Sequence, residues 1–271
     1  MAYKQLWGSK TPGHIVYLID LSGSMENKID YTIDVLNTVF RTIVARCTKG
    51  RVVMERVSVT IIGYNSTVKT IWNNQSVSEI ATLVLDKRRS GMPLFDKTEE
   101  FKPEYQTFMA KAFDAARVDI ERWIAERRKA GTAIPAPIVI NITDGSPYEG
   151  AGKTWQEVFA ATEKSAKALM DISTPDGNVR VFNIHHDPSK TDSTVIFPSE
   201  RPSDPVGQFM YNASSEMDDD TVGQTRVTFG SKKGAHYMVS NIKEPGKLVS
   251  LIEFGSTQGL DNGSNADGSY I

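Results

Sequence analysis

The sequence has few residues of the kinds that form disulfides or zinc sites. Cys47 is the single cysteine in 271 residues, so the chain cannot form an internal disulfide. One cysteine is compatible with a reducing compartment, and we expect a cytoplasmic protein. There are only four histidines, and no cysteine or histidine residues have the spacing of a zinc motif. A metal site in this chain is therefore expected to use oxygen ligands.

The sequence also lacks an excess of charge and long apolar segments. It has 31 Lys and Arg against 33 Asp and Glu, a formal net charge of −2. Non-specific binding to nucleic acid needs a clear excess of Lys and Arg, so we expect no nucleic-acid partner. No apolar run approaches the roughly 20 residues that span a bilayer, and residues 1–12 lack the apolar core of a signal peptide. We expect a soluble protein without a membrane partner.

Short apolar runs alternate with segments of helical periodicity along most of the chain. Strands are predicted at His14–Asp20, Val52–Ile62, Thr67–Trp72, Ile138–Thr143, Val179–His185 and Ala235–Asn241. Helices are predicted at Lys28–Cys47, Ser78–Leu85, Tyr105–Lys129, Thr154–Met170 and Pro245–Phe254. The second and third strands are joined by a short turn and predict an antiparallel pair, whereas the long helical connections predict parallel crossovers. The sequence therefore predicts an α/β fold with an open, mostly parallel twisted sheet, one antiparallel edge strand and helices on both faces.

The length is that of one large domain or two small ones at roughly 100–200 residues per domain. We expect a single domain over residues 1–254. Within it, residues 188–234 have a weaker pattern and are predicted to form an elaborated loop, with a hairpin at Arg226–Phe229. Residues 255–271 are rich in Gly, Ser and Asn and are predicted to be a mobile tail.

Oxygen-bearing side chains follow two of the predicted strands. Asp20, Ser22 and Ser24 lie on a turn directly after the first strand, and Asp144 follows the strand Ile138–Thr143. Thr107 lies at the start of the predicted helix Tyr105–Lys129. Ligands of open α/β sheets bind at the carboxyl ends of the strands. Hydroxyl and carboxylate oxygens suit Mg²⁺, with Ca²⁺ or Mn²⁺ as alternatives.

At these residues the sequence resembles the von Willebrand factor A (VWA) family, whose metal-ion-dependent adhesion site reads D-x-S-x-S…T…D. Asp20, Ser22, Ser24, Thr107 and Asp144 match in the family's order, and the resemblance extends over residues 13–185. It implies a Rossmann-like VWA fold in which the two serines and the threonine bind Mg²⁺ directly. It also implies that the two aspartates act mostly through water. An aspartate or glutamate of a protein partner would complete the coordination.

The sequence departs from the family around the threonine. Tyr105 and Gln106 precede Thr107, where the family has glycines, and Thr98 in the preceding loop is a second candidate for this ligand. Stand-alone intracellular members of the family commonly serve as components of multi-protein systems, which is the role that the resemblance implies here.

Two other functions remain open from the sequence. No residue set supplies an activated nucleophile or a general base, so we expect a non-enzymatic protein. The first alternative is a Mg²⁺-dependent phosphoryl-transfer enzyme that uses Asp20 and Asp144, with Lys153 or His186 as the converging basic residue. The second is a scaffold that binds through residues 188–234 without a metal.

Overall fold

A seven-stranded sheet with helices on both faces forms the centre of the molecule in a computed structural model that describes residues 3–96, 99–104, 106–186 and 193–260. The strands of this sheet are β1 Gly13–Asp20, β2 Val57–Tyr64, β3 Val68–Ser76, β4 Ile138–Thr143, β5 Arg180–His185, β6 Val195–Ile196 and β7 Met238–Ser240. The α-helices in the described residues are α1 Ile29–Arg46, α2 Val77–Arg89, α3 Met109–Lys129, α4 Trp155–Met170, α5 Pro205–Asn212, α6 Asp219–Phe229 and α7 Pro245–Thr257.

Shorter elements lie outside the sheet. Two-residue strands pair as small hairpins, Thr48–Lys49 with Val52–Val53 and Ser173–Thr174 with Gly177–Asn178. Short 3₁₀ helices occupy Gly23–Met25 and Glu99–Phe101. In the part of the chain that the structure describes, no helix has both the length and the apolar character needed to cross a bilayer.

The strand order in the sheet is β6-β7-β5-β4-β1-β2-β3. The five central strands run parallel, and β3 pairs antiparallel with β2 at one edge. The predicted fold class, a mostly parallel sheet with an antiparallel edge strand, is confirmed. The opposite edge adds β6, a two-residue strand antiparallel to β7 that the sequence pattern did not reveal.

The sheet has a hydrophobic core on each face because its central strands are buried on both sides. All eight residues of β1 are buried. Alternate residues enter different cores, since successive side chains of a strand point to opposite faces. Ile15 and Tyr17 pack in the core that includes α1 and α7, whereas Val16 and Leu18 pack in the core that includes α3 and α4. A strand covered on both faces accounts for the continuous apolar run read in the sequence.

Helix α3 begins at Met109, not at Tyr105 as predicted. The backbone ahead of it makes other hydrogen bonds: Thr107 exchanges two with Tyr148, and the Phe108 N–H donates to the Asn65 carbonyl. These N–H groups are therefore committed to neighbouring loops. Thr107 lies in a loop that precedes the helix, and Tyr105 lies outside the described residues.

The prediction of an elaborated loop over residues 188–234 was wrong for much of that range. It contains α5 and α6, whose first turns are capped by Asp204 and Asp218; each carboxylate accepts a backbone N–H three residues on. Gly230, with φ 74°, ends α6 where the hairpin was expected. Aspartate and glycine are common both in loops and at helix ends, and in this segment they cap helices. Residues 187–192 lie outside the described residues.

The prediction of a mobile tail from Gly255 was also wrong for its first residues. Helix α7 continues to Thr257, and Leu260 is buried. A Cβ at Gly255 would lie 2.9 Å from the Phe182 ring, so glycine here allows α7 to approach β5. The Trp7 N–H donates to the Gly259 carbonyl. The remaining residues, 261–271, lie outside the described residues.

Candidate metal centre

The candidate residues lie where the strand order of the sheet reverses. The chain passes from β1 to β2 in one direction across the sheet and from β4 to β5 in the other. Open α/β sheets bind ligands in the crevice at such a point, beyond the carboxyl ends of the strands. Asp20 ends β1, and Asp144 follows β4, which pairs directly with β1. The topology therefore brings both carboxylates to one crevice.

Asp20 is fully buried, and hydrogen bonds orient its carboxylate. Its Oδ1 accepts the Ser22 N–H at 2.8 Å, and its Oδ2 accepts the Thr143 hydroxyl at 2.5 Å. Burial raises the pKa of Asp20 to about 6, although these hydrogen bonds act in the opposite direction. A buried carboxylate near a second carboxylate favours the approach of a cation.

A chain of hydroxyls connects the first strand end to Asp144. The Ser22 and Ser24 hydroxyls lie 3.1 Å apart, and the Ser24 hydroxyl donates to Asp144 Oδ1 at 2.8 Å. Ser22 is only 1% exposed, whereas Ser24 is exposed. The oxygens thus run from the buried strand end to the surface.

A lysine completes the arrangement. The Lys28 ammonium lies 2.5 Å from Asp144 Oδ2, so both oxygens of this carboxylate have a donor. The Lys28 side chain is 15% exposed and that of Asp144 is 1% exposed. A positive charge therefore lies within hydrogen-bond distance of one of the predicted metal ligands.

Thr107 is held beside the centre through its backbone. It exchanges two hydrogen bonds with Tyr148, in the loop that follows Asp144. Before Thr107 in the same loop, the Glu104 N–H donates to the Leu21 carbonyl at 2.7 Å. Directly after Thr107, the Phe108 N–H donates to the Asn65 carbonyl at 3.0 Å. The loop is thus attached to the ends of β1 and β2 and to the loop after β4. Thr107 itself is 6% exposed.

The structure brings four of the five predicted residues into one hydrogen-bonded group, with Asp20 joined to the others through the Ser22 backbone. The loop that carries Thr107 is bonded to Leu21 and Tyr148, which neighbour the group in the sequence, and the alternative Thr98 lies outside the described residues. The basic residues suggested for an enzyme have other partners. Lys153 pairs with Glu149, and His186 Nδ1 contacts the Ile242 carbonyl at 2.9 Å.

Two residues of this centre, Thr143 and Lys28, were not predicted from the sequence. Thr143 ends β4, directly before Asp144, and a hydroxyl at this strand end is a signal for a hydrogen-bond donor to a neighbouring carboxylate such as Asp20. Lys28 carried a detectable signal, since a cation is unfavourable at the start of a helix, where the macrodipole is positive.

The donors fit a hard divalent cation. The group contains two carboxylates and the hydroxyls of Ser22 and Ser24, which is oxygen chemistry of the kind that Mg²⁺ uses. Among the described residues, no three His, Cys, Asp or Glu side chains gather as a metal-binding cluster. Any ion at this centre would therefore depend on hydroxyl oxygens and water besides the two carboxylates.

Comparison with known proteins places the fold but not a family. No protein-family model matches the sequence, and no curated protein matches it at a significant level. Solved structures do match. The pilus adhesin SpaC from Lactobacillus rhamnosus GG has a TM-score of 0.56 at 12% identity, over 95% of this chain and 32% of SpaC.

Two other pilus proteins have the same fold. The vWF domain of the type V pili tip protein Mfa5 from Porphyromonas gingivalis has a TM-score of 0.52 at 10% identity, over 95% of this chain and 99% of that domain. A mutant of the PilB minor pilin from Streptococcus sanguinis has a TM-score of 0.51 at 10% identity, over 93% of this chain and 62% of that one. The chain thus spans less than two thirds of SpaC and PilB. Its sheet, its helices and these similarities show a Rossmann-like fold of the von Willebrand factor A type.

Proposed function

We propose that this chain is a divalent-cation-dependent protein-interaction module, acting as a component of a multi-protein system. An aspartate or glutamate of the partner would bind a Mg²⁺ ion held at Asp20, Ser22, Ser24, Thr107 and Asp144. The observation that carries this proposal is the hydroxyl chain from Ser22 through Ser24 to Asp144 at the point where the strand order reverses.

The residues of the centre would have different roles. The hydroxyls of Ser22, Ser24 and Thr107 would hold the ion directly, and Asp20 and Asp144 would hold it through water. A bound Mg²⁺ would supply a positive charge that neutral hydroxyls leave largely uncompensated. The exposed side of the centre, at Ser24, is where a partner's carboxylate would enter.

The surroundings of the centre offer further contacts for a protein partner. Tyr148, which is bonded to Thr107, is 54% exposed, and exposed tyrosines are frequent anchors of interfaces. On the side of Asn65 and Glu104, a cavity of about 150 Å³ opens next to Leu21. A role in binding also agrees with the fold, since SpaC is a pilus adhesin.

Thermal unfolding in EDTA and in Mg²⁺, Ca²⁺ or Mn²⁺ tests the ion. A ligand at 100 times its dissociation constant stabilises the folded state by about 2.7 kcal/mol, which raises the midpoint by several degrees. We expect this rise in the wild type and not in Asp20→Ala. The control Asp86→Ala removes an exposed carboxylate of α2 and should keep the rise. A rise that persists in Asp20→Ala would place the ion elsewhere.

An NMR titration with acetate, which stands in for the partner's carboxylate, tests the proposed contact with the ion. Acetamide is the neutral control. In the presence of Mg²⁺, acetate should shift the amide resonances of Ser22 and Ser24, and EDTA should abolish the shift. Equal shifts with acetamide, or shifts that persist in EDTA, would contradict a metal-bound carboxylate.

A further inference from the structure

The Lys28–Asp144 pair is partly buried and lies at the end of the hydroxyl chain. Asp144 receives the Lys28 ammonium on one oxygen and the Ser24 hydroxyl on the other. Asp144 is 1% exposed at its side chain, so its charge has little contact with water. Lys28 therefore supplies a nearby positive charge that balances a buried carboxylate.

The position of Lys28 is locally unfavourable for a lysine. It is the N-cap residue of α1 and makes no side-chain capping bond. Short polar residues cap helices best, and the positive end of the helix macrodipole repels an ammonium group. The ion pair with Asp144 offsets this disadvantage, which ties the lysine to the centre instead of to the helix.

We propose that the Lys28 ammonium occupies the cation position at Asp144 in the metal-free protein and lowers the affinity of the centre for divalent ions. This inference rests on the proposed function. A divalent ion near Asp144 and the ammonium would repel each other at short range, in a site poorly screened by water. Lys28 must leave Asp144 before that carboxylate can act towards an ion. The lysine thereby sets the ion concentration at which the module becomes competent to bind.

Titration calorimetry with Mg²⁺ and with Mn²⁺ tests this on wild type, Lys28→Met and Lys28→Arg. We expect Lys28→Met to bind each ion at least about tenfold more tightly than wild type, a change of about 1.4 kcal/mol. Lys28→Arg keeps the charge and should remain near the wild-type affinity. A lysine that only supported the fold would give weaker binding when removed, which is the opposite sign.

Lys129→Met is the matched control for loss of one positive charge. Lys129 ends α3, whose 21 residues start beside Thr107 and extend about 31 Å away from the centre. The affinity of the Lys129→Met variant for both ions should equal that of wild type. Thermal unfolding adds a second readout: Lys28→Met should be less stable than wild type in EDTA and recover in Mg²⁺.

The outcomes separate the two proposals. Tighter binding by Lys28→Met alone supports the role of Lys28. Equal or weaker binding by Lys28→Met, with measurable binding by wild type, overturns that role and leaves the proposed function intact. Absence of binding by both proteins at 100-fold excess of either ion would overturn the metal centre and the role of Lys28 together.

Discussion

At the scale of single residues, the centre is defined by how Asp20 is held. Its carboxylate is fully buried, and its two oxygens accept hydrogen bonds from Ser22 and Thr143. Burial nevertheless dominates and raises the pKa of Asp20 to about 6 from an ordinary value of 3.8. The folded protein therefore binds a proton at Asp20 more tightly than the unfolded chain does.

This pKa predicts a dependence of stability on pH in EDTA. Because the folded state holds the proton more tightly, the contribution of Asp20 to the free energy of unfolding falls as pH rises from about 4 to about 6. The pKa difference corresponds to a loss of about 3 kcal/mol. Denaturant unfolding across this range checks it, with Asp20→Asn as the reference that carries no titrating group at this position.

The difference between wild type and Asp20→Asn isolates Asp20 from the other carboxylates of the chain. We expect the wild type to lose stability relative to the variant as pH rises. Saturating Mg²⁺ should reduce this loss, because a bound cation favours the charged carboxylate. Parallel curves for the two proteins in EDTA would mean that the pKa of Asp20 is not raised.

At the scale of elements, the position of Thr107 depends on loops that support one another. The Asn65 side chain accepts the Thr67 N–H at 2.8 Å and thereby closes the turn between β2 and β3. The Asn65 carbonyl accepts the Phe108 N–H. The turn thus supports the loop that carries Thr107 at its end.

Asn65→Ala should weaken the turn and the metal centre together. Loss of the side-chain hydrogen bonds is expected to cost about 1 kcal/mol of stability. The affinity for Mg²⁺ should fall several-fold, because the Thr107 loop loses its fixed support. Calorimetry and denaturant unfolding measure the two effects. The control Asn73→Ala, on β3, removes an exposed hydrogen bond that Arg122 donates and should leave the affinity for Mg²⁺ unchanged. An equal fall in affinity in both variants would mean that Asn65 has no special role in supporting the Thr107 loop.

The elements differed in how well the sequence predicted them, for physical reasons. β1 and β4 were found because strands buried on both faces are continuous apolar runs. The start of α4 was predicted to within one residue, and in the structure Thr154 and Glu157 fix it with a capping box. α5 was missed because it has only eight residues and begins at a proline, and α6 was missed because its apolar residues have little helical periodicity. The start of α3 was misplaced because backbone bonds to distant loops override local helical preference.

The candidate site shows the same division. The proximity of Asp20, Ser22, Ser24 and Asp144 could be predicted because they lie at or shortly after the ends of two buried strands that pair in the sheet, whereas their binding of a metal stays a prediction. For Lys28, the unfavourable position at the start of a helix could be recognised in the sequence, but its partner could not, since Asp144 lies 116 positions away. The role of Thr107 as a metal ligand stays a prediction, because the contacts that position this residue are made by its backbone and not by its hydroxyl.

At the scale of the whole molecule, Trp7 and the candidate metal centre lie at opposite ends of β1. Trp7 is 1% exposed and packs against Gly13, at the start of β1, and against Gly259, after α7. Asp20 ends the same eight-residue strand, about 23 Å away at about 3.3 Å per residue. Trp7 thus joins the two ends of the described chain far from the candidate metal centre.

Trp7→Ala should therefore lower stability without changing metal binding. Loss of a buried tryptophan typically costs about 3–5 kcal/mol, and the affinity for Mg²⁺ should stay within twofold of wild type. Denaturant unfolding and calorimetry on the same preparation measure both. Trp7→Phe should give a smaller loss in the same direction and serves if the alanine variant does not fold. A marked fall in affinity in the phenylalanine variant would show that the two ends are coupled.

A crystal structure grown with Mn²⁺, and measured at a wavelength where manganese scatters anomalously, tests whether the proposed centre binds a divalent ion. We expect an anomalous peak in contact with the hydroxyls of Ser22 and Ser24 and next to Thr107, with Lys28 moved away from Asp144. A peak at any other place, or no peak at millimolar Mn²⁺, would contradict the proposed centre.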